Sequence, residues 1–320
     1  MGQAASEEGR GRGATRPRDI PKSGWRDIAL RVKDQISEDN IDMISAGVAF
    51  YLFFAIFPAL LAALSIYGLF ADPAQVVEQI DALTAYLPAE IHDIIGGQLT
   101  QIADASGEAL GFGVILGIGI ALWSAMKGVK ALMTALNVTY DEDEKRGFIK
   151  FNLIAFGLTL FILVFGVVAL LFVAVVPALF AAFGSGMWTE WLISLVRWPI
   201  LFLLVMVILA FLYRYAPSRD EPQWRWATPG AFLATFLWLI ASLAFSFYIT
   251  NFGDYNEMYG AVASIVIFLF WLYISAYVVL LGAEVNSEME RQTRRDTTTG
   301  EERPMGQRGA YAADTLGKTP

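Results

Sequence analysis

The residues most able to do chemistry are ionisable side chains inside or beside long apolar stretches. Lys127 and Lys130 come near the end of one stretch, and Thr134 and Asn137 continue their face at helical spacings of 3, 4 and 3. Glu284 and Asn286 close another stretch, and Arg214 closes a third. A charge at membrane depth marks an ion or solute pathway when it faces other protein. The alternative is snorkelling, with the lysine stem along lipid and the amine among head groups, a place that Trp123 one turn earlier also suits. A charged side chain facing lipid costs about 2.5–3.5 kcal/mol at the bilayer centre. Lys127 is therefore expected to point inward, toward the helix that ends in Glu284, and to line a cavity open to the cytoplasm. An ion pair between Glu284 and either lysine is then within reach. Asp254, Tyr255, Asn256 and Glu257 form an acidic turn expected to be the outer counterpart of that pathway.

Other chemistries are narrowed by what the chain lacks. Without cysteine there is no thiol nucleophile, disulfide or cysteine-held metal. His92 is the single histidine, which leaves no set of histidines for a metal site. The net charge of −8 supplies no overall basic field for a nucleic acid. Asp141–Glu144 could hold a divalent ion, but it is one short loop beside Lys145 and Arg146. Gly111, Gly113, Gly117 and Gly119 superficially resemble a phosphate-binding pattern, yet the spacing is wrong and no strand precedes them. Gly113, Gly117, Ser124 and Gly128 instead share one helix face, a small-residue stripe suited to close helix packing. No cofactor, metal or catalytic residue is expected, and the chain is not read as an enzyme.

The elements that must hold these residues follow from composition. Of 320 residues, 56% are hydrophobic and 17% charged, against roughly 45–50% and 25% in soluble chains. Residues 151–189 form a charge-free run of 39, and 226–253 and 258–283 add runs of 28 and 26. A bilayer span needs about 20 apolar residues and must satisfy its backbone internally, so these runs are helices. The expected fold class is all-α: a polytopic membrane protein with six transmembrane helices, at about 45–70, 109–132, 151–183, 191–213, 228–250 and 259–283. The segments taken to lie on one face hold 22 of the 23 lysines and arginines, leaving only Arg197 on the other. Positive residues stay cytoplasmic, so both termini are expected inside. The outer loop 71–108 has seven acids and no basic residue, and two apolar stripes predict a helical cap there. Residues 1–24 and 291–320 read as disordered cytoplasmic tails. Residues 25–40 read as an amphipathic helix on the inner interface, with Trp25, Ile28, Val32 and Ile36 on one face. The six-helix domain occupies 45–285.

Four separated segments together resemble the YihY/virulence factor BrkB family of bacterial inner-membrane proteins, formerly labelled ribonuclease BN. They are Ser45–Leu61 (SAGVAFYLFFAIFPALL), Leu122–Tyr140 (LWSAMKGVKALMTALNVTY), Leu212–Arg219 (LYRYAPSR) and Tyr255–Glu290. The resemblance runs from about Trp25 to Glu290 and implies a six-helix inner-membrane protein, described as a transporter without an agreed substrate. It brings no established catalytic residues. The expected function is a transporter or permease in contact with membrane lipids, carrying a small solute. A lipid-handling protein and a structural membrane component are the alternatives. A sealed polar cavity would favour small-solute transport, and a groove open sideways would favour lipid handling. Ribonuclease activity and nucleic-acid partners are not expected, because the soluble segments are short and the outer ones acidic.

Overall fold

A computed structural model describes residues 9–68, 109–182, 187–252 and 261–319. Most of the described residues are helical, with no strand among them and a single isolated bridge between Pro222 and Thr298. A short helix, α1 (Lys22–Glu38), is followed by six long ones. These are α2 (Ile41–Gly68), α3 (Ala109–Thr139), α4 (Phe148–Ala182), α5 (Met187–Tyr215), α6 (Trp224–Phe252) and α7 (Ala261–Glu290). A one-turn helix, α8 (Tyr311–Asp314), lies near the C-terminus.

Each long helix has 28 to 35 residues, or about 42–52 Å at about 1.5 Å per residue, which exceeds a hydrocarbon core of about 30 Å. Among the described residues four segments are long and apolar enough to cross a membrane: Phe148–Ala169, Trp198–Tyr215, Trp224–Ile249 and Ile265–Glu290. The pair Lys22–Glu38 and Ile41–Ile56, bent by 64°, makes a fifth if counted as one broken span. Large apolar side chains such as Phe50, Leu153, Leu243 and Phe247 point outward from the bundle. Lipid is the solvent that makes such a surface stable. The loop 71–108, with its expected helical cap, lies outside the described residues.

Neighbours in sequence are neighbours in space: α2 packs on α3, α3 on α4, α4 on α5, α5 on α6 and α6 on α7, and α7 closes the ring against α2. α7 also touches α1, α3 and α8. α6 and α7 approach each other closely. A Cβ at Gly230 would lie 2.1 Å from the Gly282 carbonyl oxygen, and one at Gly282 would lie 2.6 Å from the Tyr213 hydroxyl. At the same crossing Asn286 clamps α6, accepting from the Gly230 amide at 2.8 Å and donating to the Ala227 carbonyl at 3.0 Å. Gly128 of the small-residue stripe lies against Ala55 and Leu52 of α2, where an added Cβ would meet Ala55 Cβ at 2.9 Å. The side-chain surroundings of Gly113 and Gly117 lie outside the described residues; Ser124 is half-buried.

The segments expected to be disordered tails are ordered where they are described. Residues 9–21 and 291–319 fold over the end of the bundle where α7 terminates. Arg12 donates to the carbonyls of Gly317 (2.6 Å) and Arg291 (3.3 Å), and Thr293 Oγ1 donates to Ala14 O at 2.6 Å. Arg308 fans out to four carbonyls, those of Arg303, Arg295, Ala313 and Arg294. Main-chain bonds Gln223 N to Thr297 O and Thr299 N to Glu221 O fasten the C-terminal segment to the α5–α6 loop. Composition predicts disorder because few apolar groups are available to offset chain entropy; here hydrogen bonds between distant segments supply the order. The apolar stripe of α1 also differs from its expected interfacial place. Ile28 and Val32 are buried with Trp226 and Met289, so the middle of the stripe is covered by protein, while Trp25 at its start is exposed.

Candidate functional site

α7 runs about two turns beyond its charge-free stretch, and those turns carry five polar side chains into the protein: Glu284, Asn286, Ser287, Glu288 and Glu290, all buried. Buried carboxylates need partners, and distant elements supply them to two of the three. Glu290 receives both guanidinium nitrogens of Arg219 (3.1 and 2.7 Å) and the Thr297 hydroxyl at 2.6 Å, with both ion-pair side chains fully enclosed. Tyr140 lies under the same guanidinium, its ring centroid 5.0 Å away. Glu288 takes Arg31 from α1 and, at 2.5 Å, Arg291. Glu284 is fully buried, and neither of its oxygens accepts a hydrogen bond. Its polar neighbour is a second carboxyl, that of Asp39.

Asp39 occupies the junction of α1 and α2. The helix closes there through Asp39 N to Gln35 O, and Asn40 follows with φ +52°, a left-handed conformation that asparagine tolerates. Asp141 closes α3 in a similar way with φ +54°, and its carboxylate lies 3.8 Å from Arg291. Burial pushes the Asp39 carboxyl above the usual range, against the lowering influence of Glu284 and Gln35 beside it. Burial, with Asp39 and Glu288 nearby, pushes Asp141 up to about 6. Burial would also raise Glu144, but Arg146 and Asn137 donate to it and hold it down at about 2.

The structure separates the side chains that the sequence placed on one pathway. Lys127, Lys130 and Thr134 do not face α7. They line an open groove of about 540 Å³ between α2, α3 and the start of α4, with Gly47, Val48, Tyr51 and Phe151 among its walls. Lys127 is exposed, and the Lys130 amine sits 4.7 Å from the Trp123 ring centroid. The expected Lys127–Glu284 pair is therefore absent. The reason is the rotation of α3: Met126, Val129, Met133 and Leu136 face the core, which turns Lys127 and Lys130 onto the flank. Asn137 leaves their face and is buried, accepting from Ser218 N at 2.7 Å and donating to Glu144 at 3.0 Å. Arg214 is tied to the α5–α6 loop through Pro222 O (2.5 Å) and Glu221 (2.8 Å) and stacks on Trp224. Asp254, Tyr255, Asn256 and Glu257 lie outside the described residues. A wider recess of about 860 Å³ between residues 16–18, α5 and α6 is bordered by Arg16, Arg18 and Arg225 beside Trp224.

The sequence reading missed Asp39, Arg31, Arg219, Glu288 and Glu290, and weighed Asp141 only as part of an acidic loop. The spacing of Glu284, Glu288 and Arg291, which share one helix face, was the available signal. Among the described residues no group of three or more histidine, aspartate or glutamate side chains is placed to hold a metal ion.

The sequence that folds into these long apolar helices has relatives. The family model described as virulence factor BrkB matches residues 32–306. The chain belongs to the virulence factor BrkB family. BrkB-family membership makes it a membrane protein, in accord with its apolar helices. The chain is 28% identical over 263 residues to a ribonuclease-like protein, YfkH, of Bacillus subtilis, covering 78% of this chain and 90% of that protein. It is 35% identical over 136 residues to a UPF0761 membrane protein of Tolumonas auensis, covering 41% and 45% respectively. A UPF0761 membrane protein of Verminephrobacter eiseniae is 26% identical over 294 residues, covering 88% and 67%. No solved structure matches the chain.

Proposed function

We propose that this chain is a six-span inner-membrane transporter, with both termini cytoplasmic, for an amphiphile that carries an anionic head group. The observation behind this reading is the lateral groove between α2, α3 and α4. Its walls are largely apolar, it opens sideways rather than into a sealed cavity, and Lys127 and Lys130 stand over it. An acyl chain suits the walls, and a phosphate or carboxylate suits the two ammonium groups. Its volume falls within the range of ligand sites, about 300–1,000 Å³. The three arginines around the second recess give the same face a further attraction for anionic lipid. The bias of basic residues supports the orientation, since it sets this end in the cytoplasm. The lysines then serve as head-group contacts rather than as a charge in a central cavity.

In this reading the chain has no hydrolytic activity, and purified protein should leave labelled RNA intact. Transport is tested with vesicles containing the full chain and a fluorescently labelled phosphatidylglycerol in the outer leaflet. The label should cross faster than in protein-free vesicles. Gly47→Leu fills the groove without a clash at its own Cβ, which meets nothing within 4 Å, and should stop the movement, as should Lys127→Met with Lys130→Met. A crossing rate equal to that of empty vesicles, or one unchanged by these variants, rejects the groove as the path.

A further inference from the structure

We propose that Glu284 and Asp39 form a two-carboxyl site that binds one proton and couples its occupancy to the α1–α2 junction, making the proton the coupling ion of the transport reading on which this proposal rests. Glu284 has no exposure, no cation and no hydrogen-bond donor, although arginines satisfy Glu288 and Glu290 on the same helix end. The neighbouring Asp39 Oδ2 is likewise buried without a donor. Two ionised carboxylates repel and can only accept. One proton placed between them converts that contact into a hydrogen bond and removes one buried charge.

The surroundings cannot neutralise both groups. Glu38 and Asp141 add negative charge around Asp39, and Glu288 and Asp141 add it around Glu284. The cations on this side are Arg31 and Arg291. Arg31 is engaged by Glu288, and Arg291 is shared between Glu288 and Asp141. Tyr140, the other titratable group facing Glu284, lies under Arg219. Exposure falls from partly exposed Asp141 through half-buried Asp39 to enclosed Glu284, a graded route for a proton from the solvent.

The coupling lies in chain position. Asp39 and Asn40 make the 64° bend, and the next turns of α2 supply Ile44, Gly47, Val48 and Tyr51 to the groove. Protonation relieves repulsion between the bend and α7. Loss of the proton restores it and favours a different setting of α2, and so of the groove wall.

The test needs no cargo, so its failure is distinct from failure of the transport reading. Infrared spectra of the full chain in dodecyl maltoside micelles, free of anionic lipid, should show a protonated carboxyl band at neutral pH that is lost in Glu284→Gln. In Asp39→Asn that band should titrate at lower pH, because its negative neighbour is gone. The cysteine-free chain allows spin labels at Met43 and Leu153, exposed on α2 and α4. Their separation should change with pH in the wild type and stay at the acid-state value in Glu284→Gln, whose amide can donate to Asp39 as the protonated acid would. A band unaffected by Glu284→Gln, a titration unmoved by Asp39→Asn, or a separation independent of pH overturns the proposal.

Discussion

Single side chains at the end of α7 show how environment rather than residue type sets a role. Glu290 and Arg219 are enclosed together with paired geometry, so removal of either leaves a buried charge, a loss of about 3–5 kcal/mol. Asp141 is held differently. Its carboxyl is pushed to about 6 from 3.8, so the folded state keeps a proton that the unfolded chain releases. That contribution is fully present below pH 3.8 and is lost as pH rises through about 6. Asp141→Asn should remove this dependence while keeping the left-handed backbone, which asparagine accepts. Melting temperatures across that interval provide the check. The variant should gain on the wild type as pH rises, and parallel curves would show that Asp141 does not titrate there.

The helices are apolar nearly all round, so their contacts are chosen by shape. The α6–α7 crossing depends on two glycines whose missing side chains let the backbones touch. Gly230→Ala or Gly282→Ala forces a Cβ to within 3 Å of backbone or the Tyr213 hydroxyl, and overpacking of this kind costs about 1–3 kcal/mol. Gly157 is the comparison: it faces open space on α4, and Gly157→Ala should be neutral or stabilise by up to about 1 kcal/mol through helix propensity. Thermal denaturation in detergent distinguishes the two outcomes. Equal melting temperatures for all three variants would mean that the close crossing is not maintained.

For the molecule as a whole, orientation is the property that the proposed function most needs. Cysteines introduced singly at Lys22 and Glu301, both exposed at the α7 end, and at Ser106 in the 71–108 loop can be treated with an impermeant thiol reagent. Only the cysteine at 106 should react in intact cells, and all three after lysis. Reaction at 22 or 301 in intact cells would invert the chain and place the proton site on the other side of the membrane. Thr297, by contrast, is buried and bonded to Glu290, so a cysteine there would report packing rather than sidedness.

The sequence by itself determined that the chain is a helical membrane protein, because charge-free runs of this length admit no other backbone that lipid tolerates. It also marked Lys127, Lys130 and Glu284 as anomalous, since each interrupts or ends an apolar stretch. What each of them faces was decided only by the tertiary structure. A helix that is apolar around its whole circumference carries no periodic signal for its inner side, and so the rotation of α3 was not legible. That rotation turned Lys127 toward a lateral groove and Asn137 toward Ser218. The terminal segments were misread for a related reason: their order comes from arginines donating to carbonyls far away in the sequence, and composition records no partner. Asp39 and Glu284, 245 residues apart, meet because α7 closes the helix ring against α1 and α2. Local spacing constrains which residues share a helix face, but ring closure alone brings these two carboxyls together.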